Sequence, residues 1–332
     1  MPQNAPVKGP LPNVVKRFSR VRAVVLGDLV ADHYVYGLTE RVSREAPVLI
    51  VRHEREEVKP GGAANVAANV AALGGRVSAV GGLGKDAMGA ALAASLQRAG
   101  VTPAWVQVPE TETKLRVLAG AVGTRRQQML RVDRGATQGL PDKARRALAR
   151  AVKAELDAAQ VAVVSDYGAG VVCDETREVL RAWAKRGGLV CADSRSALLE
   201  LKGSTVCKPN EPELAALTGM ALETDDDVLF AAQRARALLE CQVLVVTRGR
   251  RGMVIADGTH TTVLPVHGSA EAVDVTGAGD TVAASFALAF GAGASALEAA
   301  FLANVAGALV VQKPGTATVS GPELSAALDA LP

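Results

Sequence analysis

Aromatic side chains are scarce in this 332-residue chain: two Trp, three Tyr and five Phe, 3% in all. So few flat rings argue against a protein that stacks unpaired nucleic-acid bases on an aromatic platform. Charge of one sign is lacking too. Thirty-seven basic residues against 34 acidic ones leave a net charge of +3, too even a balance for a general nucleic-acid or membrane-surface binder, so any anion must be met locally. The four cysteines, Cys173, Cys191, Cys207 and Cys241, stand far apart, with no C-x-x-C and no histidine pair at zinc spacing. They read as reduced core residues rather than a metal site. No apolar run approaches the length of a membrane span, and Met1 to Pro12 is polar and Pro-rich without the apolar centre of a signal peptide. The most apolar stretch, Ala283 to Val311, is divided by Glu298, Asn304 and several glycines, which makes it two buried helices. The expected location is the cytoplasm.

What is present is an ordinary globular balance, 49% hydrophobic and 21% charged, with 33 glycines and length enough to bury a core without disulfides or a structural metal. Short apolar runs ending in Gly or a polar residue recur at 23–28, 77–80, 161–165, 189–193, 205–208 and 243–247. Between them lie helical patterns at 63–73, 87–99, 143–158, 174–185, 211–218 and 225–239. Such alternation predicts an α/β fold, an open and mostly parallel sheet with helices on both faces, whose ligands sit beyond the carboxyl ends of the strands. Residues 1–20 are expected to be a disordered extension and 21–332 a single domain. Val35 to Val58 and Lys114 to Val132 break the alternation. They are rich in Val, Thr and Arg and carry turn residues, so they read as inserted β-ribbons forming a flap over a cleft, or as long surface loops. A flap with exposed edges would also pair a second copy of the chain, making a homodimer through the lid.

The densest chemical signal is Asp274-Val275-Thr276-Gly277-Ala278-Gly279-Asp280-Thr281, followed at once by the apolar helical stretch Val282 to Phe290. Glycines just before a helix let the amides of Gly277, Ala278 and Gly279 point at one anion, with the helix dipole adding positive potential, so phosphate is bound without lysine. A carboxylate beside that phosphate, Asp280, suits the base that takes a proton from an attacking hydroxyl. Taken alone, the same residues also fit a tight turn and a helix N-cap. Two familiar phosphate motifs are missing. Gly84-Lys85 is followed by Asp86 rather than Ser or Thr, and Gly277-Ala278-Gly279 has Val282 in place of a third glycine, so neither a P-loop ATPase nor a Rossmann dehydrogenase is supported.

The Asp274 to Asp280 segment resembles the C-terminal signature of the PfkB, or ribokinase-like, carbohydrate kinases. Gly61-Gly62-Ala63-Ala64-Asn65 with Gly82-Leu83-Gly84-Lys85-Asp86 resembles their N-terminal one. The resemblance covers nearly the whole chain. Within the family the bacterial heptose 7-phosphate kinases of ADP-heptose biosynthesis are most similar, through Gly27-Asp28, Tyr36-Gly37, Glu45-Ala46-Pro47, Thr113 to Leu118, Gln127-Gln128 and Ser165-Asp166-Tyr167. The resemblance implies ATP with Mg2+ as the cofactors, Asp280 as catalytic base and Gly277 to Gly279 as anion hole. It places Asn210 and Glu213 at magnesium, through water. Lys208, Thr247, Gly249, Gly252 and Asn304 are implied at the nucleotide, and Asp274 and Thr276 at a monovalent cation such as K+.

For the acceptor, the resemblance implies Asp32 on the sugar hydroxyls, with Gly61, Gly62 and Asn65 beside it. A carboxylate accepts from vicinal hydroxyls, and glycine lets backbone donors come close. Lys114, Arg116 and Arg131 on the flap are candidates for the phosphate already on the sugar, or a solvated charged face. The sequence departs from the branch pattern where Ala169 replaces a lysine, where Ser194-Arg195 replaces Pro-Lys, and at His33 after Asp32. These changes bear on which sugar is used rather than on phosphoryl transfer. No H-x-G-H nucleotidyl-transfer motif occurs before Pro332, so a separate enzyme is expected to supply that step. The expected function is ATP-dependent phosphorylation of heptose 7-phosphate to the 1,7-bisphosphate. The alternatives are a kinase for ribose, fructose, a hexose phosphate or a nucleoside, or a catalytically silent sugar and nucleotide binder. Neither nucleic acid nor membrane is an expected partner.

Overall fold

The computed structural model describes residues 11–135, 139–195, 197–268 and 272–331. Its strands, in chain order, are β1 (Arg22–Gly27), β2 (Leu29–Val42), β3 (Leu49–Gly62), β4 (Arg76–Val80), β5 (Gly82–Gly84), β6 (Thr102–Pro103), β7 (Val106–Val108) and β8 (Thr113–Gly120). They continue as β9 (Gln127–Arg134), β10 (Val161–Asp166), β11 (Leu189–Ser194), β12 (Val206–Cys207), β13 (Val243–Thr247), β14 (Met253–Ala256) and β15 (Thr261–Leu264).

Nine strands form the main sheet in the order β15-β14-β13-β12-β11-β10-β1-β4-β6. It is parallel from β13 to β6, and β14 and β15 run antiparallel at one edge. Because side chains alternate across a strand, each strand feeds two cores. Val25 and Val163 pack on one face with Val66, Ala287 and Leu302. Val24, Leu26 and Val164 pack on the other with Leu148, Leu180 and Leu239. This is the ribokinase-like α/β architecture expected, with helices on both faces.

The chain leaves β1 first toward β4 and β6 and later returns through β10 to build the other half. The order therefore reverses between β1 and β10, and a crevice opens at the carboxyl ends of these two strands, the switch point at which such sheets bind ligands. Gly27 lies opposite Ser165 there, so Asp28 and Tyr167 project into one place.

The two irregular segments form a second sheet of four strands, β3-β2-β8-β9. It begins earlier than the sequence suggests, at Leu29, because β2 follows directly from the end of β1. Several apolar side chains on it are exposed, Val42 at 57% and Leu130 at 55% among them. Two further sequence expectations need correction. Residues 11–20, expected to be disordered, form a helix over Leu11–Arg17 continued by a 3-10 turn to Arg20. Leu11, Val14, Val15 and Phe18 fall at helical spacing, all buried, so one stripe joins the core while the polar residues between them mask the pattern. Residues 1–10 lie outside the described residues. The hairpin β14–β15 was also missed, since four-residue strands carry too little periodicity to register. Among the described residues no helix is long and apolar enough to cross a membrane.

Phe18 is fully buried, so Phe18→Ala should cost roughly 3–5 kcal/mol. Urea unfolding should show a lower midpoint, whereas an unchanged midpoint would mean that the segment does not pack on the core.

Candidate active site

The helix Ala278–Gly291 starts at the crevice, and Asp280 in its first turn is only 4% exposed. A carboxylate so placed needs donors. Asn65 Nδ2 donates to Asp280 Oδ2 at 2.8 Å and Tyr167 Oη to Asp280 Oδ1 at 2.9 Å. Asn65 sits in the first turn of the helix Ala63–Ala72, which begins where β3 ends. Asn69, one turn on, donates to Asn65 O at 3.0 Å, and its own Oδ1 accepts from Thr281 Oγ1 at 3.1 Å. The two helices are thus tied together by polar contacts around Asp280. Burial pushes the Asp280 carboxyl up to about 6; the bond from Asn65 opposes this, the charge of Asp193 adds to it, and Tyr167 and Lys208 oppose it. Burial and the Asp280 charge raise Tyr167 well above the usual phenol range, so it stays protonated and donates.

Gly277 precedes this helix with φ +79, and a Cβ there would lie 2.5 Å from Asn65 Nδ2. Left-handed backbone and the close amide both demand glycine. Of the three amides expected to hold an anion, that of Ala278 also closes a turn on Val275 O at 3.2 Å. Lys208 reaches the same loop, its Nζ within 3.8 Å of where a Gly279 Cβ would be. Its ammonium pairs with Asp193 Oδ2 at 2.9 Å. Burial pulls the Lys208 pKa down, but Asp193 outweighs it and leaves the group above its ordinary value.

Beyond the loop, Thr247, Gly249, Gly252, Ala278, Gly279 and Asn304 line one pocket of about 890 Å3, together with Met253, Val266 and Val282. The structure thus brings the expected nucleotide residues together, except Lys208, which approaches from the sheet side. Asn304 Nδ2 donates to Pro265 O at 2.6 Å. The turn between β13 and β14 is anchored by Arg248, whose buried guanidinium meets Glu211 at 2.8 Å and Asp225 at 2.6 Å.

Asp32 from β2 is 4% exposed, and a Cβ on Gly61, four residues before Asn65, would lie 2.5 Å from its Oδ2. Arg116 pairs with Asp32 at 2.5 Å, so this cation is engaged by the carboxylate expected to bind hydroxyls. Arg131 is likewise engaged, in a two-pronged bond to Asp133 at 2.7 and 2.6 Å. Lys114 instead lies over the Tyr167 ring, 4.7 Å from its centroid. Gly62 caps the Asn65 helix at φ +55.

Asn210 and Glu213 sit where sequence places them, but they cap a helix reciprocally. Glu213 N donates to Asn210 Oδ1 at 2.8 Å and Asn210 N to Glu213 Oε2 at 2.9 Å. Burial raises Glu213, as does the charge of Asp193, so Asp193 bears on both Glu213 and Asp280. Among the described residues no three acidic, His or Cys side chains converge to grip a metal directly. Glu213 enters the cap through Oε2, and a carboxylate oxygen is the kind of donor that magnesium takes. Asp274 accepts from Thr276 N at 2.9 Å and Gly315 N at 2.8 Å, a role in shaping the loop.

Three residues escaped the sequence reading as site residues. Tyr167 bonds Asp280, and Asp193 pairs with Lys208. Asp28 accepts from Tyr167 N at 2.7 Å, Ala169 N at 3.1 Å and Val171 N at 3.3 Å, fixing the loop that presents Tyr167. All three lie at the carboxyl ends of β1, β10 and β11, a position that was the available signal.

Residues 22–323 match the pfkB family of carbohydrate kinases. The Bifunctional protein HldE of Halorhodospira halophila is 42% identical over 326 residues, 96% of this chain and 65% of that protein. Its namesake in Shewanella amazonensis is 38% identical over 313 residues, 94% of this chain and 64% of that protein. The chain therefore spans about 65% of the length of these curated relatives. Phosphofructokinase-2 from Escherichia coli has the same fold, with a TM-score of 0.76 at 21% identity over 93% of this chain and 98% of that one. Ribokinase from Arabidopsis thaliana gives 0.71 at 24% identity with the same coverage. With its sheet, its glycine loop and its buried aspartate accounted for, the chain belongs to the pfkB family of carbohydrate kinases.

Proposed function

We propose that this protein transfers the γ-phosphoryl group of ATP to the anomeric hydroxyl of a heptose 7-phosphate, giving the 1,7-bisphosphate and ADP in the cytoplasm. The observation that carries the reading is the buried Asp280 next to two candidate binding regions. A pocket of about 890 Å3 is lined by Ala278 and Gly279 of its own helix, within the range of small-molecule sites, and Asp32 lies against Gly61, four residues along the chain from the Asp280 partner Asn65. The relatives sharing 42% and 38% identity, both called HldE, support the heptose branch.

In this reading Asp32 and the backbone at Gly61 and Gly62 orient the sugar, with Asn65 steadying Asp280. The Asp280 carboxylate accepts the proton of the attacking hydroxyl. The amides at Gly277 and Gly279, the helix dipole and the Lys208 ammonium hold the phosphoryl oxygens as charge moves onto them. Glu213, with Asn210, and Asp193 would hold magnesium through water, and the ion would supply neutralisation of nucleotide phosphate charge. Asp274 has lone pairs beyond the two amides it accepts from, and with Thr276 it would offer a monovalent cation a place beside the loop. The second sheet acts as the lid that excludes water. Its exposed Val42, Leu49, Met129 and Leu130 and its edge strands β3 and β9 favour a homodimer through that lid.

With Mg-ATP, the purified protein should form ADP when heptose 7-phosphate is added. Asp280→Asn should cut kcat by about 10²–10⁴, the usual worth of a general base, while nucleotide binding persists; turnover that survives the substitution would remove Asp280 from the role of base. The pH profile is a separate check. Asp280 must be ionised to accept a proton and is raised to about 6, so kcat/KM should fall about tenfold per pH unit below 6 and level off above it. Tyr167→Phe removes a bond that favours the ionised form, so the acid limb should move to higher pH. A limb that stays in place would show that Tyr167 does not bear on the base.

A further inference from the structure

We propose that Lys114 and Arg195 form a two-cation clamp for the phosphate monoester that the acceptor already carries, with the Tyr167 ring as its floor. The inference rests on the reading above that the acceptor is a sugar phosphate. Of the three flap cations that sequence offers for this phosphate, Arg116 is engaged by Asp32 at 2.5 Å and Arg131 by Asp133 at 2.7 and 2.6 Å. Lys114 and Arg195 are different: among the described residues neither meets a carboxylate in an ion pair. Instead they share one ring, Lys114 Nζ lying 4.7 Å and Arg195 Cζ 4.3 Å from the Tyr167 centroid.

A ring face attracts a cation but does not neutralise it. The two like charges are therefore close, neither is met by a direct ion pair, and the charge of Asp32 offsets the repulsion at Lys114 only in part. Burial, and next the Arg195 charge, push the Lys114 ammonium below its ordinary pKa. The chemical partner that would relieve this repulsion is an anion seated between them. A dianionic phosphate with several acceptor oxygens suits a guanidinium fork and an ammonium together.

The clamp lies on the acceptor side of the base. Lys114 stands opposite Asp32 in the β2–β8 register, and the Tyr167 hydroxyl reaches Asp280 at 2.9 Å. The nucleotide pocket lies across the glycine loop and is served by Lys208. The loop 167–171 has no cation of its own, so Arg195 supplies one from the end of β11. Lys114 belongs to the flap sheet and Arg195 follows the main sheet. A phosphate held by both would pull the lid onto the site, so an unphosphorylated sugar would leave two like charges facing each other and the lid unfastened.

The test uses the full chain and its Lys114→Ala and Arg195→Ala variants, with two readouts. The first is steady-state kinetics with heptose 7-phosphate. Each variant should raise KM for this acceptor about tenfold or more, the scale of one hydrogen bond to a charged group, with kcat changed far less. The second is thermal unfolding with inorganic phosphate as the probe. Phosphate should raise the Tm of the parent, and the rise should shrink in both variants. An unchanged KM together with an unchanged phosphate effect in either variant would overturn the clamp. If the parent forms no ADP from heptose 7-phosphate, the kinase reading fails for that sugar. The thermal arm still decides the clamp: a lost phosphate effect in both variants supports it, and an equal effect in all three proteins overturns it.

Discussion

Burying a carboxylate at a strand crossover is possible only if donors are already in place to receive it, and much of this molecule can be understood as the means of placing two of them at Asp280. One is Asn65, at the start of a helix that begins where β3 ends. The other is Tyr167, at the end of β10. Neither would be in reach without the reversal of strand order between β1 and β10. Asp28 makes the second donor dependable, since its three backbone bonds give the loop carrying Tyr167 a single conformation. The arrangement leaves the carboxylate ionised near neutrality yet more basic than a solvated one, the condition a general base needs.

The same place explains the glycine at 277. A side chain there would displace the Asn65 amide and strain a left-handed backbone at once, so the glycine loop and Asp280 are one unit, built around a shared close approach. Lys208 joins the unit from the sheet side only because Asp193 holds its charge in a buried position. The negative charge of Asp193, Glu213 and Asp280 and the positive charge of Lys208 are consequently interleaved around the glycine loop, with Lys208 paired to Asp193. Nearly neutral overall, the protein gathers charges of both signs at this one place.

Much of this was legible beforehand. The glycine loop and the apolar helix behind it are local features, and so are the alternating strands and helices; each rests on a period of two or 3.6 residues that a single stretch displays. The capping box of Asn210 and Glu213 was also readable at three-residue spacing. The helix over Leu11–Arg17 was hidden because its stripe is short and begins beside a Pro-rich stretch, and the β14–β15 hairpin because its strands are only four residues long.

What the sequence determined by itself was the kind of sheet, the place of the glycine loop and the aspartate proposed as base. Tertiary structure decided the pairings: Asn65 with Asp280 across 215 residues, Tyr167 with Asp280 across 113, and Arg116 with Asp32 across 84. It also decided which of several similar cations is spent on a carboxylate and which lies over an aromatic ring instead. The reason is physical. Periodicity and turn chemistry act between neighbours in the chain, whereas hydrogen-bond and charge partners are assigned by strand order, and no local pattern records that order.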